Sequence, residues 1–472
     1  MKKRIAAEWE PVKGVLVAWP PLLPKRLFKA FNEDTTMYVM VMDDAARQGA
    51  CEAFERWGLD MNKIEFVSTP SRDGRSKYGP YWVRDWGPFA VFQENKAMKL
   101  VSGRFCSTPA TRYGQPTVLL EVNGAIDNNE IRTPLDKPTG PETYMPNSIA
   151  EYFGQPNEVF DFAFIGGNVL TDGLDMLISS DILLQENIQM NQTNPECYFS
   201  KVASATGMNT YAIADQYENF GIQHVDCIMK ICSEDTILVA RPPKDHPYYE
   251  RVEHIIDTTL RNMRNYYGRP YRILRYDTAR YHGDELAAYS NSLILGTNVY
   301  VPMFGIPEDA DALKVWAEAM PGYTIKGFEY IVANEPESSE GMFYPEIGWD
   351  AADALHCRTR GVWDPEMLFI SINRPDDVVA AEDQRIEAII VDYSEKGIIK
   401  GSEKLYWRVR GTESWNESEL APLKIHERYA GVIPAQAPGA VVDYYISAES
   451  ASGAMESRPA TAPVGFYTFT VE

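Results

Sequence analysis

The pentapeptide Leu355-His356-Cys357-Arg358-Thr359 places one thiol late in the chain, and His224-Val225-Asp226 and Trp82-Val83-Arg84-Asp85 lie far upstream. A thiol, an imidazole and two carboxylates together form a set suited to a cationic guanidinium. The thiol attacks, the imidazole moves protons and the carboxylates hold the positive charge. A guanidinium is charged at any physiological pH and stabilised by resonance, so water attacks it slowly. Two carboxylates can each take paired hydrogen bonds from its fork of donors and so orient the central carbon. Spacing alone does not bring the four groups together. A lone cysteine is more often an inert buried hydrophobe than a nucleophile.

Each group has a local reading and a bland alternative. On an extended strand His224 and Asp226 share one face, two residues apart, while Val225 points the other way; many core strands hold such a pair by chance. Trp82-Val83-Arg84-Asp85-Trp86-Gly87-Pro88 reads as a strand leaving toward a turn, and Arg84–Asp85 is as consistent with a structural ion pair as with function. Trp82 can pack along an arginine stem or belong to the core. Gly166-Gly167-Asn168 allows close backbone approach to a ligand, or marks an ordinary turn. His356 on a strand faces away from the thiol beside it and is not expected to be the base. Cys227 reads as a buried structural thiol, and His246, His254, His282 and His426 as surface or packing residues.

The bulk composition narrows the field. The 472 residues are 45% hydrophobic and 12% aromatic, a globular composition with material for a core. The formal net charge of −22 argues against nucleic-acid binding and suits a cationic substrate, or serves solubility alone. Six cysteines without a Cys-x-x-Cys argue against a disulfide scaffold or a structural zinc site. No apolar run is long enough for a membrane span. Met1-Lys2-Lys3-Arg4 resembles the charged start of a signal peptide, but no apolar segment follows it. No Gly-x-Gly-x-x-Gly or Walker loop is present. No metal or organic cofactor is required by the visible residues, although acidic loops leave room for structural calcium.

The chain is identified by resemblance as a member of the bacterial, Porphyromonas-type peptidylarginine deiminases, relatives of the agmatine deiminases. The similarity runs through Gly14-Val15-Leu16-Val17-Ala18-Trp19-Pro20, Trp82-Val83-Arg84-Asp85, and Gly166-Gly167-Asn168-Val169-Leu170-Thr171-Asp172-Gly173. It continues through His224-Val225-Asp226-Cys227, Ser290-Asn291-Ser292-Leu293-Ile294-Leu295 and Ala319-Met320-Pro321-Gly322-Tyr323 to Asp353-Ala354-Leu355-His356-Cys357-Arg358-Thr359. Each motif is weak alone; the order is specific. The resemblance implies a five-bladed α/β propeller, the pentein fold. It implies Cys357 as nucleophile, His224 as acid/base, and Asp85 and Asp226 as guanidinium ligands. Trp82, Gly167, Asn168, Asn291 and Arg104 are the implied substrate-binding residues. Arginine-containing peptides or proteins are the implied partners, and a secreted or extracytoplasmic setting is implied, with a cytoplasmic one as the alternative.

Three departures from the family pattern bear on substrate. Agmatine deiminases carry an acidic residue before the double glycine, where this chain has Ile165. A carboxylate clamp of two arginines is represented only by Arg104, with Arg112 further on. The tyrosine expected just before His-x-Asp is Gly221 here, with Tyr217 nearby. The rival readings are an agmatine or free-arginine deiminase, an amidine transferase, and a non-catalytic adhesion protein.

Along the chain, strand-like and helical runs alternate to about residue 345, an α/β pattern. Strands are expected at 12–18, 36–43, 63–68, 175–184, 236–240, 292–301 and 324–330, and helices at 45–57, 194–206, 248–266 and 309–319. No sequence repeat is visible. The polar stretches 103–146 and 332–353 read as loops that could wall a site. Past Asn373-Arg374-Pro375-Asp376-Asp377 the helical pattern stops. Strand-like runs follow at 385–393, 405–410, 423–433, 441–449 and 466–471, with Val442, Tyr444 and Ile446 alternating against Asp443, Tyr445 and Ser447. A catalytic unit over 1–373 and a β-sandwich over 378–472 are expected; the resemblance makes the latter immunoglobulin-like.

Overall fold

The computed structural model describes residues 1–69, 81–104, 111–112, 145–191, 194–218, 220–281, 283–330, 348–350 and 353–472. The two expected loops lie largely outside these, as does His282.

A repeat that the sequence hides is plain in the strand pairing. Among the described residues, five small sheets each join an antiparallel pair to a parallel neighbour, with one two-stranded ladder, Thr111–Arg112 with Phe220–Gly221, outside the scheme. In one, Met229–Ile231 pairs antiparallel with Thr236–Arg241, which pairs parallel with Arg272–Asp277. Leu293–Leu295, Asn298–Met303 and Thr324–Glu329 repeat the arrangement, as do Leu170–Thr171, Met176–Ser180 and Thr210–Ala214. A parallel pairing needs a crossover, and helices supply it. Tyr249–Thr258 and Asp309–Ala319 are two of these.

The crossover helices carry their own start and stop signals. Helix Asp44–Trp57 begins where the Asp43 carboxylate accepts the Ala46 N–H at 2.7 Å and ends at Gly58, whose φ of 74° only glycine adopts freely. Its buried Ala50, Ala53, Phe54 and Trp57 follow the helical period and pack on the sheet. Helix Pro195–Thr206 uses Asn194 as cap and Pro195 in its first turn. Where 175–184 reads as one strand, the strand is Met176–Ser180 and a helix, Asp181–Asn191, starts at once. The apolar run spans both elements because both are buried.

The beginning and end of the catalytic part meet. Strand Arg360–Trp363 pairs antiparallel with Val12–Ala18, itself parallel to Thr36–Val41. The fifth sheet is thus made from both extremes of this part.

The C-terminal part is all-β. A four-stranded sheet and a six-stranded sheet enclose a separate core that includes Ile370, Ile386, Leu405, Val442, Tyr444 and Phe469. Its first strand is Leu368–Asn373, paired with Gln384–Asp392. This lies upstream of the expected boundary at 373, because the turn-rich segment 374–377 connects two strands within the C-terminal part instead of joining the two parts. Asp443 is buried despite its outward phase, since Arg410 donates to it at 2.8 Å. The contact with the catalytic part is extensive. Arg458 donates to Glu234 at 2.7 Å in full burial, Glu234 also accepts the Ile372 N–H at 2.7 Å, and the Arg458 guanidinium stacks 4.0 Å from the Trp9 ring. Among the described residues no helix is long and apolar enough to cross a membrane.

Candidate active site

Turns, not strands, carry the candidate site residues. Asp85 sits on a single α-turn, Val83–Trp86, where a strand leaving toward a turn is expected from sequence. Gly167 lies in the 3-10 turn Gly166–Asn168. Asp226 is central in the 3-10 turn Val225–Cys227, with His224 as its extended N-cap. The expected strand through His224 and Asp226 is therefore replaced by a turn, and the two side chains converge through the change of direction at His224.

The convergence is tight. A Cβ placed on Gly167 would stand 2.6 Å from Asp85 Oδ1, 2.8 Å from His224 Nδ1 and 3.2 Å from Asp226 Oδ2. The Gly167 N–H donates to Asp85 Oδ1 at 3.1 Å. Gly167 thus does more than permit a turn: it keeps open the space onto which three side chains point. The thiol belongs to the same cluster. Cys357 Sγ is 4.0 Å from Asp226 Oδ2 and accepts Asn291 Nδ2–H at 3.3 Å. Asn291 Oδ1 takes the backbone N–H groups of His356 and Cys357 at 2.9 and 3.3 Å, so one amide fixes both the turn and its sulfur.

Electrostatics separates the roles. Burial pushes the Cys357 thiol well above its usual value, and the Asp226, Asp353 and Asp85 carboxylates push it the same way. Burial also raises Asp85 well above the ordinary carboxylate range, reinforced by Asp226 and Asp353. A guanidinium between the carboxylates reverses both effects, since a positive charge favours the carboxylate and the thiolate alike. Burial takes the His224 imidazole down to about 4, which leaves it neutral at pH 7. Neither ring nitrogen has a hydrogen-bond partner among the described residues, as suits a group that faces the reacting atoms.

His224 gives a pH signature. Its folded pKa lies below the unfolded value of 6.5, so its contribution to stability falls as pH drops from about 6.5 to about 4. The loss amounts to about 3 kcal/mol. In a His224→Asn variant that share of the acid destabilisation disappears. Denaturant melts of both proteins at pH 7 and pH 4.5 measure the difference.

His356 corrects the expectation that it faces away. It lies on a turn, and its Nδ1 is 2.7 Å from Asp226 Oδ2 while Nε2 is 2.6 Å from Glu8 Oε2. Burial and the nearby Arg84 and Lys230 disfavour a charged ring, but two carboxylates this close are satisfied only when both nitrogens carry protons. Burial alone would raise Asp226; His356, through its hydrogen bond and charge, holds it below its usual value. Glu8 is in turn held well below its usual range, against burial, by Lys230 at 2.6 Å, His356 and Arg84 at 3.1 Å. Arg84 therefore pairs with Glu8, and the Arg84–Asp85 ion pair that the sequence allows does not form. Sequence reasoning missed Glu8 and Lys230 entirely; the adjacency of His356 and Cys357 was the one signal available.

The remaining expected residues divide. Trp82 is half-buried and donates Nε1–H to Asp353 Oδ2 at 3.0 Å, beside the thiol's turn. Asn168 is expected to touch substrate, but its amide is spent on Ser180 at 2.9 Å and on the Val225 N–H at 3.2 Å. It ties the Gly167 turn to the Asp226 turn. Arg104 ends strand Met98–Arg104 opposite Ala163, and its side chain lies outside the described residues. Arg112 pairs by backbone with Phe220, four residues before His224. Tyr217, near the position the family fills with tyrosine, donates its hydroxyl to the His224 carbonyl at 3.0 Å. Cys227 is buried, as expected. His246 is buried and accepts the Tyr248 N–H at 3.1 Å, whereas His426 is exposed. No three His, Cys, Asp or Glu side chains among the described residues are grouped to hold a metal ion.

The family model for Porphyromonas-type peptidyl-arginine deiminase matches residues 4–333. The chain belongs to that family. It is 22% identical over 366 residues to a Vibrio parahaemolyticus protein provisionally named an agmatine deiminase, covering 68% of this chain and 89% of that one. Solved structures with the same fold include an agmatine deiminase of Enterococcus faecalis, with TM-score 0.55, 17% identity, and 77% and 96% of the two chains covered. A Porphyromonas gingivalis protein provisionally named an arginine deiminase gives TM-score 0.56, 17% identity, and 77% and 99% coverage. The catalytic part is therefore an α/β pentein-like deiminase fold. As a deiminase of this family the protein is a hydrolase of amidine C–N bonds acting on guanidino substrates.

Proposed function

We propose that this deiminase converts arginine residues of peptides or proteins to citrulline and releases ammonia. The observation that carries the reading is the side chain before the double glycine. Ile165 is 2% exposed and packs in an apolar cluster with Phe89 and Phe164. Agmatine carries an ammonium beyond its guanidinium, and an ammonium entering a dry pocket needs a carboxylate partner. Asp353 is a further carboxylate that acts on the thiol, but Arg358 takes both its oxygens at 3.0 and 3.1 Å. A peptide-bound arginine has no second cation to satisfy. We read the five sheets as blades of a propeller and the C-terminal sheets as an immunoglobulin-like sandwich. An extracytoplasmic setting fits a polypeptide substrate.

In the proposed reaction Asp85 and Asp226 hold the guanidinium, and Cys357 passes its proton to His224 as sulfur attacks the central carbon. The adduct collapses as His224-H⁺ protonates the departing nitrogen, which leaves as ammonia. Water then gives a proton to the neutral imidazole and attacks the thiouronium carbon. The C–S bond breaks, the thiol recovers its proton and the ureido group is released.

Substrate choice is tested by ureido formation on blocked arginine, agmatine, and matched peptides with arginine internal or terminal. With Arg104 alone in register for a clamp, kcat/KM is expected to be similar for internal and C-terminal arginine. A complete carboxylate clamp would give a preference of roughly a hundredfold or more for the terminal form, which would point to Arg112 as the second arm. Turnover of agmatine well above both peptides would move the protein to the agmatine deiminases, the reading favoured by the names of its relatives.

A further inference from the structure

Behind the catalytic carboxylates, on the far side of His356, lies a second cavity lined by Glu8, Arg84, Phe89, Lys230, His356 and Arg360, among others. Arg360 is 1% exposed. Other arginines buried as deeply bring their own carboxylate: Arg4 meets Glu10 at 2.7 Å, Arg358 meets Asp353 at 3.0 Å and Arg458 meets Glu234 at 2.7 Å. Arg360 has no such partner among the described residues. Its Nη1 donates to the Arg84 carbonyl at 2.7 Å, and its Nε and Nη2 find no acceptor.

The side chain cannot swing away to find one. A Cβ on Gly87 would strike its Cδ at 2.7 Å, and one on Gly166 would strike Nη1 at 2.6 Å, so two glycines close over its stem. The rings of Phe89 and Trp363 lie 4.5 and 5.1 Å from its centre. Rings engage a guanidinium through its face, whereas its N–H groups need acceptors in the plane. Lys230 has spent two of its three protons, on Glu8 at 2.6 Å and on the Ser292 carbonyl at 2.7 Å. Arg84 also shares Glu8, at 3.1 Å. Counting the doubly protonated His356, four cations therefore share the Glu8 and Asp226 carboxylates, with Asp85 acting more weakly on Arg360.

We propose that this cavity binds a small monovalent anion of chloride size, held by Arg360 with Arg84 and Lys230. Water would satisfy the free N–H groups but leaves the charge excess uncompensated. The space, about 30 Å³, has room for a small ion.

Crystals soaked in sodium bromide and measured at the bromine edge give the direct test. An anomalous peak within hydrogen-bonding reach of Arg360 Nη2 is expected; bromide found only at the surface overturns the proposal. In solution, melting is followed in sodium chloride and sodium gluconate at equal ionic strength. A saturable rise of a few degrees with chloride is expected for the wild type and is lost in Arg360→Met. Equal melting of the wild type in both salts counts against the site. If Arg360→Met does not fold, Arg360→Lys serves, with a weakened chloride response. Both readouts are independent of turnover, so they stand or fall separately from the substrate assignment.

Discussion

Cys357→Ala is expected to lose at least ~10⁴-fold in kcat while still binding the guanidinium substrate. The loss of a nucleophile normally costs several orders of magnitude, and what survives comes from binding and electrostatics alone. The geometry offers no substitute. The sulfur is fixed by Asn291 at 3.3 Å and stands 4.0 Å from Asp226, while Cys227, the other thiol near Asp226, is on a different turn. Removing one buried sulfur costs about 1–2 kcal/mol of packing, so the variant should remain folded. The checks are single-turnover ureido formation, substrate titration on the variant, and mass spectrometry of wild-type protein quenched during turnover. A variant with more than about a tenth of the wild-type rate would exclude covalent catalysis through this residue.

Gly167→Ala should be nearly as damaging, although it removes no reactive group. The added methyl would sit 2.6 Å from Asp85 Oδ1 and 2.8 Å from His224 Nδ1, closer than carbon tolerates. These neighbours must move by several tenths of an ångström, and they are the groups proposed to orient the guanidinium and transfer its protons. Misplacement of about 1 Å in a reacting constellation costs roughly 10²-fold, so kcat/KM is expected to fall by about that factor or more. Overpacking of this size costs about 1–3 kcal/mol of stability. Kinetics on the folded variant, with melting as the control, separates the two effects. Unchanged kcat/KM would mean that the space beside Gly167 is not where the guanidinium binds.

The sequence conveyed more about elements than about their assembly. Helix 309–319 and strand 441–449 are legible to the residue, because their periodic patterns meet one buried face each. The fivefold repeat was not legible, since what recurs is a pairing scheme and not a set of residue types. The break at 374–377 is real as a turn, but composition cannot tell which sheet the preceding strand joins. At the site, His224 and Asp226 were expected to share a strand face. They converge instead because a 3-10 turn redirects the chain between them. The same assumption of extended backbone sent His356 away from Asp226. Glu8 and Lys230 carry no local signal, because their importance arises only when residues some 350 positions apart are brought together.

The seam between Val12–Ala18 and Arg360–Trp363 has a consequence for biosynthesis. The proposed nucleophile, Cys357, lies three residues before the strand that closes the last sheet, and its neighbours Asp85, His224 and Asn291 are all made earlier. A chain emerging from the ribosome therefore has its proposed guanidinium ligands and acid/base group made first and its thiol last. Synthesis proceeds at about 5–20 residues per second, so the incomplete enzyme exists for many seconds without a nucleophile in place. The candidate site is complete only when the first strand of that sheet finds its last.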